Sequence, residues 1–156
     1  MSTTEDLTRQ FWNALAASPF VFLQRNGAPD TAMPMTAQLD KDADGAIWFF
    51  TRKNHPLAPG GPATATFAAK DNQLFARLDG YLVTETRREK IDQHWSSQIE
   101  SWFPGGKDDP QVLLLRMDLD QAEIWNSDLG LIDNVKMLLG FDVHEKAQAE
   151  HTETML

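Results

Sequence analysis

The sequence contains no cysteine. Disulfides, thiol nucleophiles and cysteine-ligated metal are therefore excluded. No apolar run approaches the roughly 20 residues that a bilayer-spanning helix requires. Positive charge is scarce: 14 Lys and Arg stand against 23 Asp and Glu, a formal net charge of −9. Nucleic acid is a poor partner for such a chain, because neutralising phosphates takes surplus cations on one face. The acidic excess serves solubility. The opening "MSTTEDLTRQFW" has no basic region ahead of an apolar one, so no secretory leader is expected. Together these absences predict a soluble cytoplasmic protein with neither a membrane nor nucleic acid as partner. At 156 residues with an ordinary apolar fraction, a single domain with a sizeable core is expected.

Several chemical signatures are missing too. There is no Gly-x-Gly-x-x-Gly turn and no phosphate-binding Walker loop. There is no Gly-x-Ser-x-Gly nucleophile elbow. Of the four histidines, His144 and His151 would share one helix face two turns apart, too few ligands for a four-coordinate metal. His94 falls on an apolar helical stripe and reads as a packed histidine. Asp108 and Asp109 follow Gly105-Gly106, where turn chemistry explains them better than a catalytic pair.

What is present reads as strands with helical decorations. Ser2 and Glu5 have capping-box spacing, and Leu7, Phe11 and Leu15 with Trp12 form one apolar stripe, ended by Pro19. "FVFLQRNGAPD" is a strand entering a turn at Asn26-Gly27, and "TAMPMTAQLD" returns from it. Pro34 inside the returning strand implies an edge, a bulge or a ligand-facing gap in the ladder. "AIWFFT" is apolar on both faces and is expected to be buried in the middle of something. "TATFAA" and the long "LFARLDGYLVTET" follow, with Gly80 as a bulge. A second helix is expected after Thr86, capped by Thr86 and Glu89, with Ile91, His94, Trp95 and Ile99 as its stripe. "QVLLLRMDL" and "QAEIW" are two further strands, and "LIDNVKMLLG" a short helix closed by Gly140. The pattern predicts a mainly β fold with flanking helices (α+β), an antiparallel barrel occupying 1–142, and a polar, flexible tail over 143–156.

The segment 46–58, "AIWFFTRKNHPLA", puts a hydroxyl and two cations at the mouth of an aromatic strand. Thr51, Arg52 and Lys53 have the chemistry a phosphate monoester wants. On the residues alone, Trp48, Phe49 and Phe50 are better explained as core and Arg52-Lys53 as a solvated loop, because apolar strands are usually core.

"PMTAQLDKDADGAIWFFT", then "DNQLFARLDGYLVTETRREKIDQHW", "SWFPGGKDDPQVLLLRM" and "AEIW" occur in an order that resembles the general stress protein family, a branch of the pyridoxamine 5′-phosphate oxidase-like flavin-binding split barrels. The similarity runs from about Leu7 to Gly140, and "WFPGGKDDP" with the later "AEIW" is its most specific part. It implies a six-stranded antiparallel split β-barrel of the FMN-binding type, a homodimer, and FMN in a groove between subunits. By position it implies Pro34, Met35, Thr36 and Phe50 along the ring, and Thr51 and Lys53 at the phosphate with Arg52 and His55 in support. Trp102, Phe103 and Trp125 would be the covering aromatics, some of them from the partner subunit.

Two positions depart from the pattern. Met33 stands where relatives usually carry Arg, and His55-Pro56-Leu57 replaces a Ser-x-Lys. Losing two charge-assisted contacts of about 1.5–3 kcal/mol each would weaken phosphate binding a hundredfold or more. Three readings stay open: Lys53, Arg52 and His55 re-form the phosphate site; the ligand is FAD or another flavin-like molecule; or the cofactor is lost and the dimer kept. The Arg-rich C-terminal segment of true pyridoxamine phosphate oxidases is absent. The resemblance implies a flavin-dependent oxidoreductase of unknown substrate, with a non-enzymatic dimeric stress-related binding protein carrying a degenerate flavin site as the alternative.

Overall fold

The computed structural model describes residues 4–41, 45–126 and 133–138, the last segment as backbone. Helix α1 (Thr4–Ala17) carries Leu7, Phe11 and Leu15 at four-residue spacing, and all three are fully buried. Burying each contributes about 1.5–3 kcal/mol. Phe11 meets Trp12 at 4.9 Å and the edge of Phe67 at 6.0 Å. The Ser18 N–H still bonds to the Ala14 carbonyl, and Pro19, with no N–H to give, ends the helix. Ser2 of the expected capping box lies outside the described residues.

Seven strands follow: β1 (Phe20–Arg25), β2 (Ala28–Thr36), β3 (Ala46–Arg52), β4 (Gly61–Ala68), β5 (Leu74–Thr84), β6 (Val112–Asn126) and β7 (Asp133–Leu138). Six lie in the order β2-β1-β4-β5-β6-β3, and β7 pairs with β6 off that path. Every pairing is antiparallel. The curled sheet nearly closes on itself. Its two ends meet at one isolated bridge, where the Gln38 N–H donates to the Trp48 carbonyl (2.7 Å) and the Trp48 N–H to the Gln38 carbonyl (3.0 Å). A barrel joined at one point and open elsewhere along that seam is a split barrel.

The β1–β2 hairpin turns at Asn26-Gly27, with Gly27 at φ +79°. Its ladder slips between Leu23 and Arg25, and Thr31 satisfies the irregularity by accepting from the Arg25 N–H (2.9 Å) and donating to the Ala28 carbonyl (2.7 Å). β2 is an end strand, which accommodates Pro34. Gly80 marks a slip in the β5–β6 ladder, where a Cβ would collide with the Asp118 carbonyl.

Four expectations about helices and strand bounds are corrected, while β3 is buried on both faces as expected: it is an end strand, and helices cover its second face. Ile47 and Phe49 face the barrel core, while Trp48 and Phe50 pack with Ile99, Phe103 and Leu114 beneath α2 (Arg88–His94) and α3 (Ser97–Trp102). The single helix expected after Thr86 is two, because Trp95 is extended and Ser96 caps the second by accepting from the Ile99 N–H (3.2 Å). Arg87, not Thr86, stands at the first cap, with no side-chain bond that caps the helix. "QVLLLRMDL" and "QAEIW" form one strand, since β5 pairs with β6 over its length across the Gly80 slip. The helix expected over 131–140 is the strand β7: the second half of β6 offers an open edge, and pairing there overrides local preference. Gly140, His144, His151 and the tail lie outside the described residues.

Candidate functional site

A groove of about 310 Å³ opens at the seam, lined by Pro34, Met35 and Thr36 of β2, Phe50, Thr51 and Arg52 of β3, His55, and the Trp102-Phe103 corner after α3. Its position follows from the strand geometry. Gln38 and Trp48 direct their backbone groups at one another across the seam. Antiparallel strands alternate, so the backbone groups of Thr36, Phe50 and Arg52 point the same way. Pro34 is in that phase too and has no N–H. The seam there carries amides aimed into the groove rather than a closed ladder.

The lining is apolar with few polar groups. Phe50 and Thr51 are buried, Met35 is half-buried against the core, and Trp102 is 38% exposed. The Arg52 guanidinium donates from Nη2 to the Trp102 carbonyl (2.9 Å) and lies 5.0 Å from the centre of the Phe103 ring. His55 Nδ1 accepts from the Leu57 N–H (3.1 Å), which leaves its proton on Nε2 as a donor. Burial pushes His55 below its ordinary value of 6.5, so the ring is neutral at pH 7. Among the described residues no carboxylate lines the groove.

Two expected site residues are not among the lining. Lys53 is exposed; its N–H continues the ladder to the Gln111 carbonyl (3.0 Å). Trp125 lies at the far end of β6, opposite Phe75. The two positions that depart from the family pattern both turn inward: Leu57 is fully buried in the barrel core and Met33 packs against it.

"WFPGGKDDP" acts as a scaffold. Gly106, at φ +77°, donates to the Phe103 carbonyl (2.8 Å), and Asp109 donates to the Gly106 carbonyl (3.1 Å). Lys107 pairs with Asp92 (2.9 Å) and Asp108 with Arg88 (2.7 Å), tying the loop to α2. A Cβ on Gly105 would stand 2.5 Å from the Asp109 carboxylate. These contacts aim Trp102 and Phe103 at β3. His94 is buried and stacks on Trp48 at 4.9 Å, 3.1 Å from Asp40.

An outward aromatic face was not foreseen. Phe20 and Phe22 are each 56% exposed and Phe75 36%. Phe20 lies opposite Thr36 and Phe22 opposite Pro34, so the face adjoins the groove. The sequence signal was the unbroken "FVFL", apolar at alternate and intervening positions alike.

Among the described residues no group of three or more His, Cys, Asp or Glu is placed to hold a metal, and no helix is long and apolar enough to cross a membrane. The chain is similar to a general stress FMN/FAD binding protein from Xanthomonas citri, at 39% identity over 88% of this chain and 100% of that one, with a TM-score of 0.75. It is equally similar to a general stress family protein from Xanthomonas campestris pv. campestris, at 39% identity over 90% and 100%, TM-score 0.76. A general stress protein 26 from Jannaschia sp. CCS1 matches at 29% identity over 86% and 99%, TM-score 0.75. No curated protein matches. The family model described as pyridoxamine 5′-phosphate oxidase like matches residues 6–147. By that match, on a split barrel with its groove at the seam, this chain belongs to the pyridoxamine 5′-phosphate oxidase-like family.

Proposed function

We propose that the protein binds a flavin, FMN in the first instance, in the seam groove at an interface between two copies in the cytoplasm, and works as a flavin-dependent oxidoreductase. The observation that carries this reading is the groove itself: a mostly apolar cleft with inward backbone amides, two threonines and one cation at its mouth. An isoalloxazine needs that combination of apolar wall and amide donors. Pro34, Met35, Thr36 and Phe50 line the ring. The Thr51 hydroxyl and Lys53 meet the phosphate, and His55 adds a neutral donor. Bound flavin would supply the hydride and electron chemistry; the chain binds it, orients it and keeps water off one face.

The outward face of Phe20, Phe22 and Phe75 supports the dimer, since exposed aromatic surface beside a ligand groove favours burial against a second copy. Trp125, beside Phe75, then belongs to the cover that a second copy places over the groove.

The test is the visible spectrum of the purified protein, followed by titration of FMN and FAD against tryptophan fluorescence. A yellow protein, or quenching at micromolar flavin, is expected; a colourless protein indifferent to both flavins would sink the reading. The inward packing of Met33 and Leu57 favours a second reading, a dimeric binding protein with a degenerate site. Bound flavin that no nicotinamide donor reduces would select it.

A further inference from the structure

Among the described residues Arg52 is the only cation lining the groove, and its guanidinium is already engaged. Helix α3 has six residues, and its last carbonyls have no partner within the helix. Arg52 supplies one, donating to the Trp102 carbonyl at 2.9 Å from the last position of β3. The same plane lies over Phe103, 5.0 Å from the ring centre. Phe103 meets Trp95 at 5.9 Å, and Trp95 meets Phe50 edge-on at 5.4 Å. The aromatics therefore run from Phe50 on the groove floor, behind it through Trp95, and back to Phe103 in its wall, with Arg52 joining the wall to the floor strand. A planar fork is matched to both jobs, hydrogen bond and ring contact, in a way an ammonium is not.

We propose that Arg52 is a positioning residue for the Trp102-Phe103 wall, and that its contribution to flavin affinity passes through this wall rather than through the phosphate. The proposal rests on the flavin reading for its ligand, but the wall exists without one. The Trp102 carbonyl takes one of the five guanidinium N–H groups and, with the Phe103 contact, fixes the plane against the wall.

The experiment compares Arg52→Gln and Arg52→Lys with the wild-type chain. Dissociation constants are measured for FMN and for riboflavin, which has the same ring and no phosphate, and amide hydrogen exchange is followed over 97–106 in the free protein. Arg52→Gln should weaken both ligands by the same factor, about five- to tenfold, and speed exchange over 97–106. Arg52→Lys keeps the charge and should rescue neither. Weaker FMN with unchanged riboflavin, or full rescue by lysine, would assign Arg52 to the phosphate and overturn the proposal. Should the wild-type chain bind neither flavin, the flavin reading fails; unchanged exchange over 97–106 in Arg52→Gln would then overturn the wall role on its own.

Discussion

Gln38 and Trp48 exchange both backbone hydrogen bonds, at 2.7 and 3.0 Å, and this one pair joins the two ends of the curled sheet. Towards Pro34 and Arg52 the same two strands line the groove. The site is thus a consequence of where the barrel stops closing, and Pro34, unable to donate, stands at that place.

Lys53, exposed and next in the chain to Arg52, is the cation proposed for the phosphate while Arg52 holds Trp102. Lys53→Ala should weaken FMN about tenfold and leave riboflavin within a factor of about two. Titration calorimetry with the two ligands checks it. FMN held as tightly as by the wild-type chain would remove Lys53 from the site.

The face bearing Phe20 and Phe22 is expected to be covered by a second copy. Phe22→Glu should weaken self-association about tenfold or more, because a carboxylate would be stranded among aromatics. Sedimentation velocity across a dilution series reads the change. A wild-type chain that is monomeric throughout would end the dimer reading.

Acid should destabilise the fold in two stages. His55 and His94 are both held below 6.5 by burial, the latter despite the opposing pull of Asp40. The unfolded chain binds those protons more readily, so stability falls as the pH drops below 6.5. Glu85, its side chain 3% exposed, is held at about 2 chiefly by its hydrogen bonds with Arg87, helped by Arg116. Its contribution is whole above the ordinary value of 4.5 and is lost between there and about 2. That contribution is about 1–2 kcal/mol after allowing for solvent screening at half-exposed Arg87. Urea midpoints from about pH 8 to about pH 2 should show both declines, His94→Gln should shrink the first, and Glu85→Gln the second.

Gly60 and Gly61 make a matched pair. Both have positive φ, +71° and +95°, but a Cβ on Gly60 would stand 2.6 Å from the Leu82 carbonyl oxygen, whereas one on Gly61 meets nothing within 4 Å. Gly60→Ala should cost about 2–3 kcal/mol and Gly61→Ala about 1. Equal losses in urea unfolding would show that the close approach does not matter.

The strands and the groove were legible because their signals are local: the Asn26-Gly27 turn, Pro34, the bulge at Gly80 and the hydroxyl-cation end of β3. What was hidden depended on distant partners. Nothing near Trp48 or Phe50 says that the helices 88–94 and 97–102 will cover them. Nothing in 133–138 says that the edge of β6 is open there. Trp125, expected from the resemblance to cover the groove, sits far along β6 from it in the same chain, a separation only the register reveals.

The burial of Leu57 limits where charge can be added to this end of the groove. The loop sends residue 57 into the barrel core, where an ammonium would cost several kcal/mol. A further cation for an anionic ligand is therefore tolerated at exposed positions such as 53 and 54, and not at 57.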